Sequence, residues 1–437
     1  MSAALDPGIM MLLSKSVANS VLSHDEIRQL VAQAAAKLKV DGKRVLTIIP
    51  DGTRSMPMPL MFKLLQQEIG TRAVACDYLV ALGTHPLMTD AQLSRLMGQP
   101  VVDEKCGDAH VFNHRWDIPE TLIDLGTIPA DEVAEKSGGL LSEPIRIKIN
   151  RLLFDYDQIL ICGPVFPHEV VGFSGGNKYL FPGVSSGEMI NQTHWLGALL
   201  GSYDLIGRVQ TPVRDLIDQA ASKIELPISC FALVLAPHAG DVDEEGVAGM
   251  HFGPPREAWR AAIELSSMKH IQWVERPFRR VLSVLPRMYD DIWTGAKGMY
   301  KVEPAMLEGG EVVIYAPHIT EISYTHGACL DKIGYHCRDY FLKQADRFAG
   351  IPRSAIAHST HLKGKGTYDA STGVETSRIN VTLATSVPEE RCQRLNLGYL
   401  NPTDIKIEDW QGREAEDIKL IPRAGETLYR LKAASKP

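Results

Sequence analysis

Apolar residues fall into two kinds of run along this chain. Short unbroken runs over residues 45–49, 73–82, 158–162, 231–236 and 281–285 read as buried strands. Between them stand stretches with helical spacing. Ser23-His24-Asp25-Glu26 has the spacing of a capping box, and Ile27, Leu30, Val31 and Ala34 then form one apolar face. Residues 60–69, 90–97 (capped by Thr89), 187–200 and 256–267 read as further helices. The alternation predicts α/β layering. Strands over 312–316 and 380–384, with a helix over 337–348, predict a second, smaller α/β unit. The polar stretch 267–280 is the expected hinge. The expected organisation is an N-terminal α/β domain over 1–275 and a smaller C-terminal α/β domain over 276–437. The second closes over the first, the active site lies in the cleft between them, and the last ~20 residues pack back on the first domain.

At 437 residues the chain exceeds what one core usually covers, which agrees with two domains. A formal charge of −7 gives no basic field for nucleic acid, so any anionic ligand must meet local cations. Seven cysteines, an odd number without a CxxC pair, read as reduced thiols of a cytoplasmic protein. The apolar run near the N-terminus lacks a basic cluster, and no later run reaches membrane-spanning length, so no membrane partner is expected.

The predicted strands empty into three clusters of chemistry. Residues 45–49 lead into Asp51-Gly52-Thr53-Arg54, and 73–82 into Gly83-Thr84-His85-Pro86. The third cluster, 163–195, holds His168, Lys178 and His194 among glycines and prolines. Ligands of open α/β sheets bind at such strand ends. Ser174-Gly175-Gly176 reads as a turn that points amides at an anion, such as the phosphate of a nucleotide. Taken singly, each residue keeps a plainer reading. His85 could cap a helix, Lys178 could be a solvated lysine, His194 could be a core histidine, and Asp51 with Arg54 could be a structural ion pair. His326, His336, His358 and His361 match no zinc signature, and residues 363–367, half of a P-loop, read as a mobile loop.

Together the clusters resemble the lactate racemase family, the nickel-pincer-nucleotide-dependent 2-hydroxyacid racemases and epimerases. Asp51-Gly52-Thr53-Arg54 with Pro57 and Pro59 is similar to the family's D-x-T-R motif, and Gly83-Thr84-His85 to its G-x-H turn. His168, Lys178 and His194 follow the family's catalytic histidine, attachment lysine and metal histidine in order and spacing. The resemblance implies a pyridinium-3,5-bisthiocarboxylic acid mononucleotide nickel cofactor covalently joined at Lys178, with His194 on the metal. It also implies His85 and His168 as the two bases, and a substrate site formed by Arg54, Asp51, Lys297 and Thr294. Ser174, Gly175, Gly176 and Trp293 are expected at the cofactor. The family's tyrosine and glutamine are replaced by Trp293 and Thr294. That change, with His326, Tyr335, His336 and Arg338 as extra polar groups, suggests a small-molecule 2-hydroxy acid larger than lactate, a sugar acid epimerised at C2. Cofactor-synthesis enzymes are the implied partners for maturation. A zinc-dependent hydrolase and a non-catalytic nickel- or nucleotide-binding protein are the competing readings.

Overall fold

The computed structural model describes residues 12–236 and 246–432; the apolar run at residues 1–11 lies outside them. A large sheet of eight strands carries the first half of the chain. Its centre is five parallel strands in the spatial order Ile228–Leu235, Gln158–Pro164, Arg44–Ile49, Ala75–Val80 and Ala109–Asn113. Parallel strands are covered on both faces, which is why these read as continuous apolar runs rather than alternating ones. One core packs on each face of this sheet. Antiparallel strands close the two edges, Val247–Gly253 with Leu13–Ser16 on one side and Lys105–Cys106 on the other.

A second sheet of five parallel strands lies in the order Gly398–Tyr399, Asn380–Thr385, Met306–Ala316, Phe278–Val284 and Ile418–Ile421, with its own core. The helix His24–Leu38 opens on Ser23 with both halves of the capping box made, and Thr89 caps Asp90–Met97 in the same way. Among the described residues no helix is long and apolar enough to cross a membrane.

Two local expectations are corrected. The helix expected over 337–348 is broken into Arg338–Leu342 and a 3₁₀ turn, Ala345–Phe348, where Gln344 leaves the helical region at φ −131°, ψ 32°. The break lets the Tyr340 ring meet Phe348, Phe341 and Tyr368 at once. Residues 363–367 are no mobile loop. Lys363 ends the helix Arg353–Lys363, and Gly366–Asp369 pairs with Val374–Ser377. Within the stretch 267–280, Ile271–Val274 pairs in parallel with Leu428–Leu431. The same tail strand carries Arg430, which donates to the Ile206 carbonyl at 2.5 Å.

Candidate active site

Strand ends of the large sheet place the first side chains. Arg44–Ile49 runs out at Pro50, and Asp51 turns back so that its Oδ1 accepts from the Thr53 amide at 3.1 Å and the Thr53 hydroxyl at 2.7 Å. Its other oxygen, Oδ2, is in close contact with Nδ1 of His85. A carboxylate only accepts, so His85 carries its proton on Nδ1 and presents a lone pair at Nε2. The plainer reading of Asp51 with Arg54 was a structural ion pair. Instead the guanidinium donates to Thr53, at 2.5 Å to the hydroxyl and 3.3 Å to the carbonyl, and Asp51 orients the histidine. Among the described residues no carboxylate forms an ion pair with Arg54, which leaves its fork open for an incoming anion.

The strand Gln158–Pro164 leads into a tight ribbon in which His168 pairs with Gly172. Nδ1 of His168 accepts from the Val170 amide at 3.2 Å and lies 3.3 Å from Oε2 of Glu169. Part of the glycine turn is engaged within the protein. The Ser174 amide donates to the Phe166 carbonyl at 2.8 Å, its hydroxyl to the Pro164 carbonyl at 3.1 Å, and the Gly176 amide faces the Cys230 thiol. What the turn requires is close packing. At Gly175, φ is +85° and a Cβ would stand 2.6 Å from Val165. Lys178 follows on a 3₁₀ turn, Gly176–Tyr179. His194 lies on the helix Gly187–Leu200, where its Nδ1 donates to the Ile190 carbonyl at 2.7 Å and leaves Nε2 free as a ligand atom.

The second sheet supplies the facing wall. Lys297 sits 4.3 Å over the Tyr289 ring and reaches the Thr53 carbonyl at 3.4 Å, beside Arg54. Trp293 is stacked between His326 at 4.4 Å and His358 at 4.1 Å. Thr294 borders the cavity, and its hydroxyl donates to Asp291 Oδ1 at 2.9 Å, within the cap that Asp291 makes on the helix Ile292–Gly295. Of the other polar groups expected to face a substrate, only His326 does so. Tyr335 is buried against His358, His336 is held by Glu375 at 2.7 Å, and Arg338 donates to the Leu199 carbonyl at 2.7 Å.

These side chains converge on one chamber of 110 Å³, lined by Arg54, His85, His168, Glu169, Lys178, His194, Trp293, Thr294, Lys297, His358 and His361. Past His85, Trp293 and Thr294 it opens into a vestibule of 840 Å³. Burial, with Arg54 nearby, lowers the Lys178 amine to about 7, and burial lowers His194 to about 4. His168 is pushed well below its usual range by burial, then by Lys178 and Arg54. Burial works to raise Asp51, but His85, Arg54 and Thr53 outweigh it and hold the carboxyl far below the usual range.

The sequence signature of the lactate racemase N-terminal domain matches residues 9–202, the segment that carries Asp51, Arg54, His85, His168, Lys178 and His194. The chain belongs to the lactate racemase family. Lactate racemase of Thermoanaerobacterium thermosaccharolyticum is 25% identical over 281 residues, 63% of this chain and 60% of that one. The enzyme of Lactiplantibacillus plantarum is 28% identical over 158 residues, 35% and 33% of the two chains. The chain therefore aligns with less than two thirds of either relative. A crystal structure of a Thermotoga maritima protein superposes with a TM-score of 0.87 at 33% identity, covering 95% of this chain and 100% of that one. The lactate racemase apoprotein of T. thermosaccharolyticum has the same fold, with a TM-score of 0.71 at 19% identity over 95% of each chain.

The residues fit the cofactor that lactate racemase resemblance implies. An amine lowered to about 7 is a usable nucleophile at neutral pH, as attachment at Lys178 requires. His194 offers one nitrogen, and among the described residues no three His, Cys, Asp or Glu side chains are grouped to hold a metal. A metal at His194 must then find its other donors on a bound molecule, which matches a pincer that brings its own carbon and sulfurs. Sequence reasoning missed Glu169, although it adjoins His168, and it set His358 and His361 aside. Both histidines lie on the helix Arg353–Lys363, and His361 keeps a buried Nε2 with no partner among the described residues.

Proposed function

We propose that this chain inverts C2 of a 2-hydroxycarboxylic acid, as a racemase or epimerase that works with a nickel-pincer nucleotide attached at Lys178. The observation that carries this reading is the opening of two imidazoles, His85 and His168, on the chamber that holds the Lys178 and Lys297 amines and the Arg54 guanidinium. The cofactor would be held by Lys178 and His194, with Trp293 bordering it, and when bound supplies a pyridinium that takes hydride from C2 and returns it. Hydride chemistry avoids the dianion that proton loss from C2 would create beside the carboxylate. Arg54 takes the substrate carboxylate through its open fork, and Lys297, whose amine is pushed well below its usual range by burial and then by Arg54, adds N–H donors beside it. His85 Nε2, set by Asp51 on the far side of the ring, accepts the hydroxyl proton in one configuration. His168 serves the other, because the hydroxyl occupies a different position in each enantiomer.

A substrate longer than lactate suits the site, with a sugar acid (an aldonate epimerised at C2) as the favoured class. The vestibule beyond Trp293 and Thr294 is lined by Gln92, Asp290, Ser323, Thr325 and His326, polar groups suited to several hydroxyls. The zinc hydrolase reading loses its support, since the scattered histidines do not gather into a metal site among the described residues. A carrier without turnover needs neither base.

Intact mass tests the cofactor reading. Protein made alongside the cofactor-synthesis enzymes gains a covalent mass with nickel, and Lys178→Ala abolishes it; active enzyme with an unmodified Lys178 would sink the reading. Holo-protein is then screened with 2-hydroxy acids by C2 configuration. Rapid inversion of lactate with gluconate-type acids untouched would overturn the sugar-acid assignment while leaving the racemase standing.

A further inference from the structure

Two hydrogen bonds set the candidate bases differently. His85 has a carboxylate at Nδ1, the arrangement that lets Nε2 gain and lose a proton while Nδ1 keeps its own. His168 has two claimants at the same atom. The Val170 amide at 3.2 Å can only donate, so it calls for a lone pair on Nδ1; the Glu169 carboxylate at 3.3 Å can only accept, so it calls for a proton there. One neutral nitrogen cannot satisfy both.

We infer that Glu169 is the positioning residue of His168, the counterpart of Asp51 for His85. This rests on the two-base reading above and goes beyond it by assigning a residue that no motif marks. When His168, its proton already on Nδ1 toward the Glu169 carboxylate, takes the substrate's hydroxyl proton at Nε2, the ring becomes an imidazolium with N–H on both nitrogens. When His168 returns a proton from Nε2 to the alkoxide oxygen, the ring is again neutral with its proton on Nδ1. Glu169 stays ionised in both steps, so proton and charge balance within the imidazole and the substrate. With the Val170 contact alone, the neutral ring would hold its proton on Nε2 and could not act as a base there.

The surroundings suit that role. Arg54, Lys178, Lys297 and His194 face His168, and each disfavours a positive ring. Glu169 is the anion placed against them. It is hydrogen-bonded by the Tyr300 hydroxyl and lies in the field of His361, Lys178, Lys297, Lys301 and Arg54. Carboxylate–imidazole pairs of this kind set tautomer and stabilise the imidazolium, and the general acid–base assistance they support is worth on the order of 10²–10⁴ in rate.

Glu169→Gln keeps the volume and removes the charge. In holo-protein that retains its Lys178 adduct and its melting temperature, we expect turnover to fall about 100-fold. The alkaline limb of the pH profile should move to lower pH by about one unit, because an imidazolium without its carboxylate gives up its proton sooner. Nitrogen-15 spectra of the full chain, assigned with His168→Asn and taken with and without the adduct, should show the Nδ1 proton of His168 in the wild type and its loss in Glu169→Gln. Glu169→Asp should recover part of the turnover. Superimposable pH profiles and an unchanged His168 tautomer would overturn the assignment, because a carboxylate that merely balances Lys297 and Lys301 would change KM and leave both unmoved. The spectra are read whether or not any acid is turned over, so failure of this pairing is distinct from failure of the proposed reaction.

Discussion

Lys178 is an amine placed where an ammonium is costly. Its folded-state value of about 7 lies below its ordinary 10.5, so between these pH values the unfolded chain binds a proton that the folded chain does not. Stability from this group is therefore present above about 10.5, falls as pH drops toward 7, and changes little below that. Lys178→Met should stabilise the apoprotein at pH 7 by on the order of 1–3 kcal/mol, with a smaller gain at pH 9.5. Urea unfolding at the two pH values measures it, and an equal gain at both would show that the amine is not withdrawn from water. At this scale the grouping of side chains was readable, since Arg54, His85, His168, Lys178 and His194 all line one chamber. Their partners were not. A motif fixes which side chains are present, but whether Asp51 turns to Arg54 or to His85, and whether the Thr294 hydroxyl faces a ligand or Asp291, depends on backbone turns that spacing does not encode.

Strands were the most legible elements, because a strand buried on both faces announces itself as an apolar run. The end of Gln158–Pro164 shows what such a strand delivers. Gly163 packs under the Tyr179 ring, and a Cβ there would stand 1.9 Å from the tyrosine oxygen and 2.3 Å from Cζ. The ring, which lines the chamber beside Lys178, would have to move. Gly163→Ala should cost on the order of 1–3 kcal/mol by overpacking and should also lower the yield of the Lys178 adduct. Gly350→Ala, where a Cβ meets nothing within 4 Å, is the control and should change neither. Melting temperature and intact mass read the two effects, and a full adduct on Gly163→Ala would mean that the turn tolerates displacement. The helix Arg353–Lys363 was missed for the opposite reason. It is buried all round from Ser354 to Leu362, polar His358, Ser359, Thr360 and His361 included, so the one-sided apolar stripe that reveals most helices is absent.

At the scale of the whole molecule, the site depends on how that helix is seated against Gly187–Leu200. Pro352 at its N-cap offers no side-chain bond, and the Ser354 amide in its first turn takes Oδ1 of Asn191 at 2.9 Å instead, so one helix is capped by a side chain of another. Arg353 adds a forked pair to Glu143, at 2.6 and 2.8 Å, and a bond to Gln192 at 2.8 Å. The pair with Glu143 is largely exposed and is worth about 0–1 kcal/mol, so the buried cap is the stronger tie. Asn191 stands three residues before His194, and the helix it caps carries His358 and His361. Asn191→Ala should therefore cost about 1 kcal/mol, as loss of a cap does, and should also speed nickel loss from holo-protein, because the two walls around His194 lose one of the bonds that tie them together. Asn191→Asp keeps an acceptor at the same place and should restore both. Chelator-challenged nickel release, followed beside thermal unfolding, separates the outcomes: a destabilised Asn191→Ala that held nickel as firmly as the wild type would show that the metal site is set by the His194 helix alone.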